Sequence, residues 1–220
     1  MTNQMNPEID ILDALIIDYA NGNLSKPLEV LMETHMAMNP ESAKAFRMMM
    51  QIGGALLEDT EPVSMSEGSW DAVLQAISDD TNHHVSVNDN QYQDALLPRP
   101  LVDYVPDLNC PNSWKRRGRG LSEFVINFGE TGGKASIYRI APGVAVPSHS
   151  HDGSEVTLVL AGGFSDVTGT FGPGDIAVQQ TGSVHQPVAD DDGECIVYAV
   201  NEGSIKLTGP IGMVLNLLVK

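Results

Sequence analysis

The stretch that decides the fold is residues 143–155, GVAVPSHSHDGSE, which contains His149 and His151 and ends at Glu155. Residues two or four apart on a β-strand point to the same face, so we expect these three side chains to converge. His185 lies thirty residues beyond Glu155, behind a turn-like GSV, and a neighbouring strand can bring it to the same point. Three imidazoles and one carboxylate suit Zn²⁺, Fe²⁺, Mn²⁺ or Ni²⁺ better than Ca²⁺ or Mg²⁺. The spacing therefore predicts one bound divalent metal, with zinc as the leading choice.

Two segments of the second half carry a family resemblance. The spacing in residues 143–155 resembles the first signature of the cupin superfamily, and residues 174–185, GDIAVQQTGSVH, resemble the second. Gln180 stands where a proline is usual, and Ala189 where an asparagine is usual. The resemblance implies an all-β jelly roll that binds a metal through the three histidines and the glutamate named above. Four glycines frame these residues: Gly143, Gly162, Gly174 and Gly182.

From about residue 99 onward, short apolar runs alternate with Gly and Pro turns. This pattern is typical of an all-β barrel or sandwich. Residues 114–120, WKRRGRG, form a basic patch that we interpret as a solvated loop, with docking against the acidic first domain as the alternative. The predicted strands are 124–128, 135–140, 156–160, 176–179, 195–200, 204–207 and 213–219.

The first half contains the start and stop signals of four helices, with apolar residues at helical spacing and Asn, Gly, Ser or Pro at the ends. The third helix is expected to begin at Asn39-Pro40, where Asn39 can accept a hydrogen bond from the Ser42 N–H group. The predicted fold class is α+β, a small all-α four-helix domain followed by an all-β cupin jelly roll. The predicted boundaries are 1–80 for the helical domain, 81–98 for a linker and 99–220 for the cupin domain.

The 220-residue chain is acidic, with a formal net charge of −17. Residues 1–97 hold 16 acidic and 3 basic residues, a net charge of −13. Phosphate contacts need Lys and Arg, so direct binding to nucleic acid is disfavoured, whereas a basic protein would be attracted. No apolar run reaches the ~20 residues of a membrane span, and no secretory leader pattern is found. Cys110 and Cys195 are too few for a disulfide framework. We expect a cytoplasmic protein without membrane contact.

Three segments of the first half resemble the helical domain of ChrR-type anti-sigma factors: residues 19–25 (YANGNLS), 33–42 (ETHMAMNPES) and 53–68 (GGALLEDTEPVSMSEG). That family joins such a domain to a C-terminal cupin domain, in the order found here. The resemblance implies a regulator of transcription that sequesters an extracytoplasmic-function sigma factor in the cytoplasm. It also implies that the metal-bound cupin domain senses oxidative stress, such as singlet oxygen. A homodimer through the cupin domain is compatible with it.

The zinc motif of that helical domain is incomplete in this chain. The family pattern is His-x₃-Cys-x₂-Cys, and here His35 is followed by Asn39 and Ser42 at the cysteine positions. Only Asn6 and Asp10 stand near the start of the chain, where another histidine is usual. Amide and hydroxyl groups are poor zinc ligands, so we expect no zinc in this half. We expect His35 to be packed or hydrogen-bonded, and Asn39 to hold the elbow by capping the third helix.

Methionine is abundant in the predicted second and third helices, which suits either core packing or an adaptable protein-binding surface. Trp70, Val73 and Ile77 share one face of the predicted fourth helix. We expect this face, together with Met32 and Met36, to supply the apolar anchors for the sigma factor.

Three functions are weighed. The first is the anti-sigma regulator. The second is a metal-dependent cupin enzyme, a dioxygenase or isomerase on a small oxygenated substrate, since a metal with an open position can polarise a carbonyl or activate dioxygen. The third is a stand-alone cupin protein without a sigma partner, which the incomplete zinc motif permits. The order of the two halves and the acidic first half favour the regulator over an enzyme.

Overall fold

The computed structural model describes residues 11–80, 97–105, 108, 110–129 and 133–208. The four predicted helices are confirmed, and a short fifth helix leads into the β-rich half. None of the helices in these segments combines the length and apolar character that crossing a bilayer requires. Asn6, Asp10, most of the predicted linker and the predicted strand 213–219 lie outside the described residues. The helices are α1 (Ile11–Ala20), α2 (Lys26–Met38), α3 (Pro40–Glu58), α4 (Ser69–Asp80) and α5 (Arg99–Val102).

The second half is built from antiparallel strands that form three sheets, the jelly roll expected of a cupin. The largest sheet has the order β1-β2-β3-β11-β5-β8, and the smaller two have the orders β10-β6-β7 and β12-β4-β9. The predicted α+β fold class is confirmed. The strands are β1 (Lys115–Gly118), β2 (Leu121–Ile126), β3 (Lys134–Ile140), β4 (His149–His151), β5 (Glu155–Ala161), β6 (Phe164–Asp166), β7 (Gly169–Phe171), β8 (Ile176–Gln179), β9 (Val184–His185), β10 (Val188–Ala189), β11 (Cys195–Asn201) and β12 (Ile205–Leu207).

The interpretation of the basic segment as a loop is wrong. Its residues form β1, the edge strand of the largest sheet, which pairs antiparallel with β2. Trp114 anchors the start of the strand by donating from Nε1 to the Leu108 carbonyl at 2.8 Å. Lys and Arg are common on edge strands because their charge opposes pairing with another chain. The sequence looked like a loop because charged residues and glycines mark both settings.

Helix α2 packs its apolar face on the barrel as well as on its helical neighbours. Tyr198 on β11 donates a buried hydrogen bond to the carbonyl of Pro27, at 2.9 Å. The two halves therefore share one hydrophobic core, although the exact domain boundaries stay a prediction. The core joins Ile16, Leu28, Val30, Leu31 and Met32 of the helices to Phe124, Ile137, Leu158, Tyr198 and Val200 of the strands.

Met32 belongs to this core and is fully buried. Its expected role as an anchor for a partner is therefore corrected to core packing. The apolar spacing of α2 could not separate the two roles, because it shows which face is apolar and not what covers that face. Met36, one turn further along, is only partly buried.

His35 closes the end of α2 against the barrel and is 1% exposed. Its Nδ1 lies 2.8 Å from the carbonyl oxygen of Gly174, and its Nε2 lies 2.8 Å from Ser42 Oγ. A carbonyl can only accept, so Nδ1 carries the hydrogen; burial lowers the pKa of His35, which keeps the ring neutral. Nε2 must then accept from the Ser42 hydroxyl. The expectation that His35 is packed and hydrogen-bonded is confirmed, and the serine hydroxyl bonds the nitrogen that a metal would take.

The predicted cap of α3 is also confirmed. The side-chain oxygen of Asn39 accepts from the backbone N–H groups of Glu41 and Ser42, both at 3.2 Å. Two of the free N–H groups at the start of the helix are thereby satisfied. The cap sits beside Ser42, so it also holds the hydroxyl that bonds His35.

We expect Asn39→Ala to lower the free energy of unfolding of the full chain by about 0.5–2 kcal/mol, because the cap is lost. Asn39→Asp should keep most of the stability, since a carboxylate caps equally well. Urea unfolding monitored by circular dichroism measures both. Asn127→Ala is the matched control, because Asn127 accepts only an exposed bond from Gly129. Equal losses for Asn39→Ala and Asn127→Ala would show that the cap does not stabilise the elbow.

Candidate metal centre

The structure brings together the four residues that the sequence singled out. His149 and His151 lie on β4, and His185 lies on β9, where it pairs directly with His149. Glu155 begins β5, in the facing sheet. All four side chains are buried, and their ligand atoms lie within 4.8 Å of one another. His149, His151 and Glu155 converge as their spacing predicts. The pairing of β4 with β9 brings in His185 as the fourth candidate ligand.

Hydrogen bonds set which ring nitrogen of each histidine faces the centre. His149 Nδ1 donates to the Pro147 carbonyl at 2.8 Å, and His185 Nδ1 donates to Asp166 Oδ2 at 3.0 Å. Burial lowers the pKa values of His149 and His151, which favours neutral rings. With hydrogen on Nδ1, His149 and His185 each turn the lone pair on Nε2 toward the centre.

The convergence of these lone pairs fits a metal ion. Nε2 of His185 lies 3.0 Å from Nε2 of His149 and 3.2 Å from Nε2 of His151. Bare nitrogens at such distances repel unless a cation lies between them. Tetrahedral Zn²⁺ with bonds of ~2.0–2.1 Å would separate its ligands by about 3.3 Å. The Glu155 carboxylate oxygens lie 3.8 and 3.9 Å from the nitrogens of His151 and His185, so small side-chain rotations complete the set.

Two buried groups behind the histidines escaped the sequence reasoning. Asp166 on β6 holds His185 and also accepts from Gln179 Nε2 at 3.1 Å. Burial alone would raise the pKa of Asp166, but hydrogen bonds from Thr168 and His185 hold it below the usual value. Asn201 lies beside His151 and acts against the burial that lowers the pKa of this histidine. Its side-chain oxygen and His151 Nδ1 are both buried and have no hydrogen-bond partner among the described residues. Partners of this kind fix the rings and strengthen metal binding. Neither follows from spacing within a signature, because each comes from a different strand.

The four framing glycines have positive φ angles: 67° at Gly143, 65° at Gly162, 88° at Gly174 and 80° at Gly182. L side chains rarely adopt this conformation. At Gly162 a Cβ atom would also lie 2.4 Å from the Glu194 carbonyl oxygen. These turns set the ends of the strands that carry the ligands.

The centre borders a cavity of about 530 Å³ inside the barrel. Beside it lies a buried carboxylate, Glu123, which accepts from Lys134, Arg117, Ser136 and Tyr138. Burial alone would raise the pKa of Glu123, but these hydrogen bonds hold it at about 2. The carboxylate is therefore charged and compensated at neutral pH. Nothing in the cupin signatures indicated this cluster, since its residues lie before the first signature.

Cys195 lies on β11 and is fully buried. Burial raises the pKa of its thiol to about 12. The reactive thiolate is suppressed at neutral pH, so Cys195 acts as a small core residue rather than as a thiol sensor.

A jelly roll whose facing sheets enclose three histidines and a glutamate beside a cavity defines a metal-capable cupin. Residues 112–205 match the family model described as the ChrR cupin-like domain. Over 198 residues the chain is 33% identical to the anti-sigma-E factor ChrR of Cereibacter sphaeroides, covering 89% of this chain and 90% of that protein. The chain belongs to the ChrR family of anti-sigma factors.

One solved structure agrees with this assignment. The crystal structure of Rhodobacter sphaeroides SigE in complex with the anti-sigma ChrR matches with a TM-score of 0.70 and 34% identity, covering 86% of this chain and 96% of the matched chain. An RmlC-like cupin protein from Ralstonia eutropha JMP134 matches with a TM-score of 0.40 and 12% identity, over 44% of this chain and 68% of that one. A TM-score of 0.40 with 12% identity supports no conclusion about this chain.

We expect one divalent ion per chain when the protein is purified without chelator, because the converging lone pairs and the carboxylate need a cation. Elemental analysis of the purified protein measures it. The double substitution His151→Ala/His185→Ala should abolish metal retention. The matched control is His83→Ala/His84→Ala, which removes two histidines of the predicted linker. Full metal content in the first double variant would contradict the assignment.

Proposed function

We propose that this protein is a cytoplasmic anti-sigma factor that sequesters an extracytoplasmic-function sigma factor, with a zinc-bound cupin domain as its stress-sensing module. The observation that carries the proposal is an apolar surface on the helical half of a chain that belongs to the ChrR family. Its relative of known structure was crystallised in complex with SigE. This chain likewise has a helical half followed by a cupin domain, the order that the family resemblance implies.

The sigma-facing surface is defined as the exposed apolar side chains between residues 48 and 77. Helix α4 is the clearest part: none of its described side chains is buried, and Trp70 is 64% exposed. Isolated exposed apolar residues are ordinary, but a set of this size along α3, α4 and the segment between them favours a site for a partner. The set comprises Met48, Met49, Met50, Ile52, Leu56, Leu57, Val63, Met65, Trp70, Val73, Leu74 and Ile77.

Acidic residues surround this surface, with Glu58, Asp59, Glu61 and Asp71 all exposed. A sigma factor binds promoter DNA through basic surfaces, so an acidic clasp would compete with DNA and speed association. The buried apolar anchors would supply most of the affinity, as is usual in protein interfaces. Met36, which is partly buried at the end of α2, lies outside the set and stays a proposed minor contact.

This surface separates the regulator from the two alternatives. An enzyme confined to the cupin domain would gain nothing from an exposed Trp70 on a separate helix. A stand-alone cupin protein would carry a large apolar surface with no partner to cover it, which favours aggregation. The metal-dependent enzyme is therefore the weaker proposal, although the same centre would serve it.

A physical route joins the metal centre to the helices. Glu155 pairs with Gln179 on β8, and Gly174 in the turn before β8 donates its N–H to the Val159 carbonyl at 2.8 Å. The Gly174 carbonyl in turn accepts from His35 at the end of α2. A shift of β5 or β8 on loss of metal or on binding of a signal would therefore reach the elbow between α2 and α3.

We expect Trp70→Ala to speed dissociation of the sigma factor by at least ~10-fold, because a central aromatic anchor is lost. The association rate should change little with this substitution but should fall as salt is raised. Surface plasmon resonance with the full chain and the sigma factor encoded beside its gene measures both rates.

Val167→Ala is the control for this measurement, because Val167 is 83% exposed on the barrel, far from α4 in sequence. Equal dissociation rates for Trp70→Ala and Val167→Ala would place the interface elsewhere. No binding by the unsubstituted chain would defeat the anti-sigma proposal and promote the enzyme.

A further inference from the structure

The cavity beside the metal centre is apolar at one end and polar at the other. Its volume of about 530 Å³ lies within the range of small-molecule sites, which are mostly apolar with a few placed polar groups. Antiparallel register sorts the lining residues into rows across the largest sheet. Leu121 pairs with Ile140 at one end of the cavity. The row at the other end is polar and consists of Lys134, Asn201, Glu155 and Gln179.

The apolar end is closed by buried side chains from both sheets. Phe164 is 3% exposed and Val197 is 4% exposed, and both line the cavity with Leu121 and Ile140. Apolar atoms placed there would leave water at a gain of ~25 cal/mol per Å². This end therefore fits the hydrocarbon body of a ligand.

The lining of the cavity carries excess positive charge, and Lys134 places part of it in the polar row. Arg117 and Lys134 both line the cavity and both pair with Glu123. Since the Glu123 pKa is held at about 2, one of the two positive charges is left over. Lys134 is 45% exposed on its side chain and has three N–H donors, so it can bond a further acceptor.

The metal centre does not cancel this charge. A divalent ion would be balanced by the carboxylate of Glu155 and by Asp166, the acceptor behind His185. The cavity as a whole then keeps one positive charge, next to Lys134 and opposite the apolar end. A single negative charge on an otherwise apolar molecule complements it.

We propose that the cavity binds a small organic monocarboxylate with an apolar body. Its carboxylate would lie at the end of the cavity that holds the metal site and Lys134, and its hydrocarbon would lie against Phe164 and Val197. This inference rests on the proposed function, because such a ligand would be the signal, or a product of the signal, that the cupin domain senses. The affinity derives from the apolar end, and the selection for an acid derives from the polar end.

Isothermal titration of the metal-loaded full chain with octanoate tests the proposal. Octanol and octylamine, which keep the apolar body, should bind at least ~10-fold more weakly, a loss of about 1.4 kcal/mol or more. Butyrate should also bind more weakly, by up to ~4-fold for each methylene group removed. Octanol binding as tightly as octanoate would overturn the choice of an anion, and no saturable binding of octanoate would overturn the site.

Two substitutions locate the ligand. Val197→Phe fills the apolar end without changing charge, and it should weaken octanoate binding at least ~10-fold; Val167→Phe on the surface should not. Lys134→Met should reduce the difference in affinity between octanoate and octanol. Lys206→Met, which removes an exposed partner of Asp152, should leave that difference unchanged. Because Lys134→Met takes one cation from Glu123 and risks the fold, Val197→Phe carries the decision alone if that variant is unstable. Unchanged octanoate binding by Val197→Phe would place the ligand outside the cavity.

Sigma-factor binding measured on the same samples separates this inference from the proposed function. Intact sigma binding without octanoate binding would overturn only the inference. Octanoate binding without sigma binding would overturn the anti-sigma proposal and leave a ligand-binding cupin.

Discussion

The burial of helix α2 on the barrel is the interaction on which the rest of the structure depends. Leu31 and Met32 are fully buried in a core that continues into the strands. Helix α2 also contacts α1, α3 and α5, so its position orients these three helices. Apolar burial supplies the stability, and the hydrogen bond from Tyr198 to Pro27 fixes the register of the helix on the sheet. The part of the sigma-facing surface that lies on α3 is therefore held in a defined place relative to the metal centre.

The elbow after α2 shows how a chain can keep a zinc-motif geometry without its ligands. Ser42 and Asn39 stand at the cysteine positions, and one bonds His35 while the other caps α3. The other ring nitrogen of His35, Nδ1, donates to the carbonyl of Gly174 in the barrel. What would be a local metal site is here a hydrogen-bonded joint between the two halves. The elbow has no thiol, and Cys195 is buried and protonated, so neither offers a reactive thiol for sensing. The metal centre and its cavity are therefore the remaining candidates for the sensing element.

Much of the fold and the metal cluster could be predicted from the sequence, because strand periodicity and positive-φ glycines are local signals. His149, His151 and Glu155 converge for that reason, and Asn39 caps α3 as its position before a proline indicates. The role of Met32 could not be predicted, because its apolar character fits a core and a binding surface equally. Asp166, Asn201 and the Glu123 cluster were missed because their positions depend on strand order and register, which no short motif records.

We infer that the metal centre and the helical half are coupled through α2. Hydrogen–deuterium exchange of the full chain, compared before and after removal of metal by a chelator, measures this coupling. We expect faster amide exchange in the barrel and also across the elbow at residues 35–42, with little change in the exposed helix α4. Faster exchange confined to the barrel strands, with the elbow unchanged, would contradict the coupling.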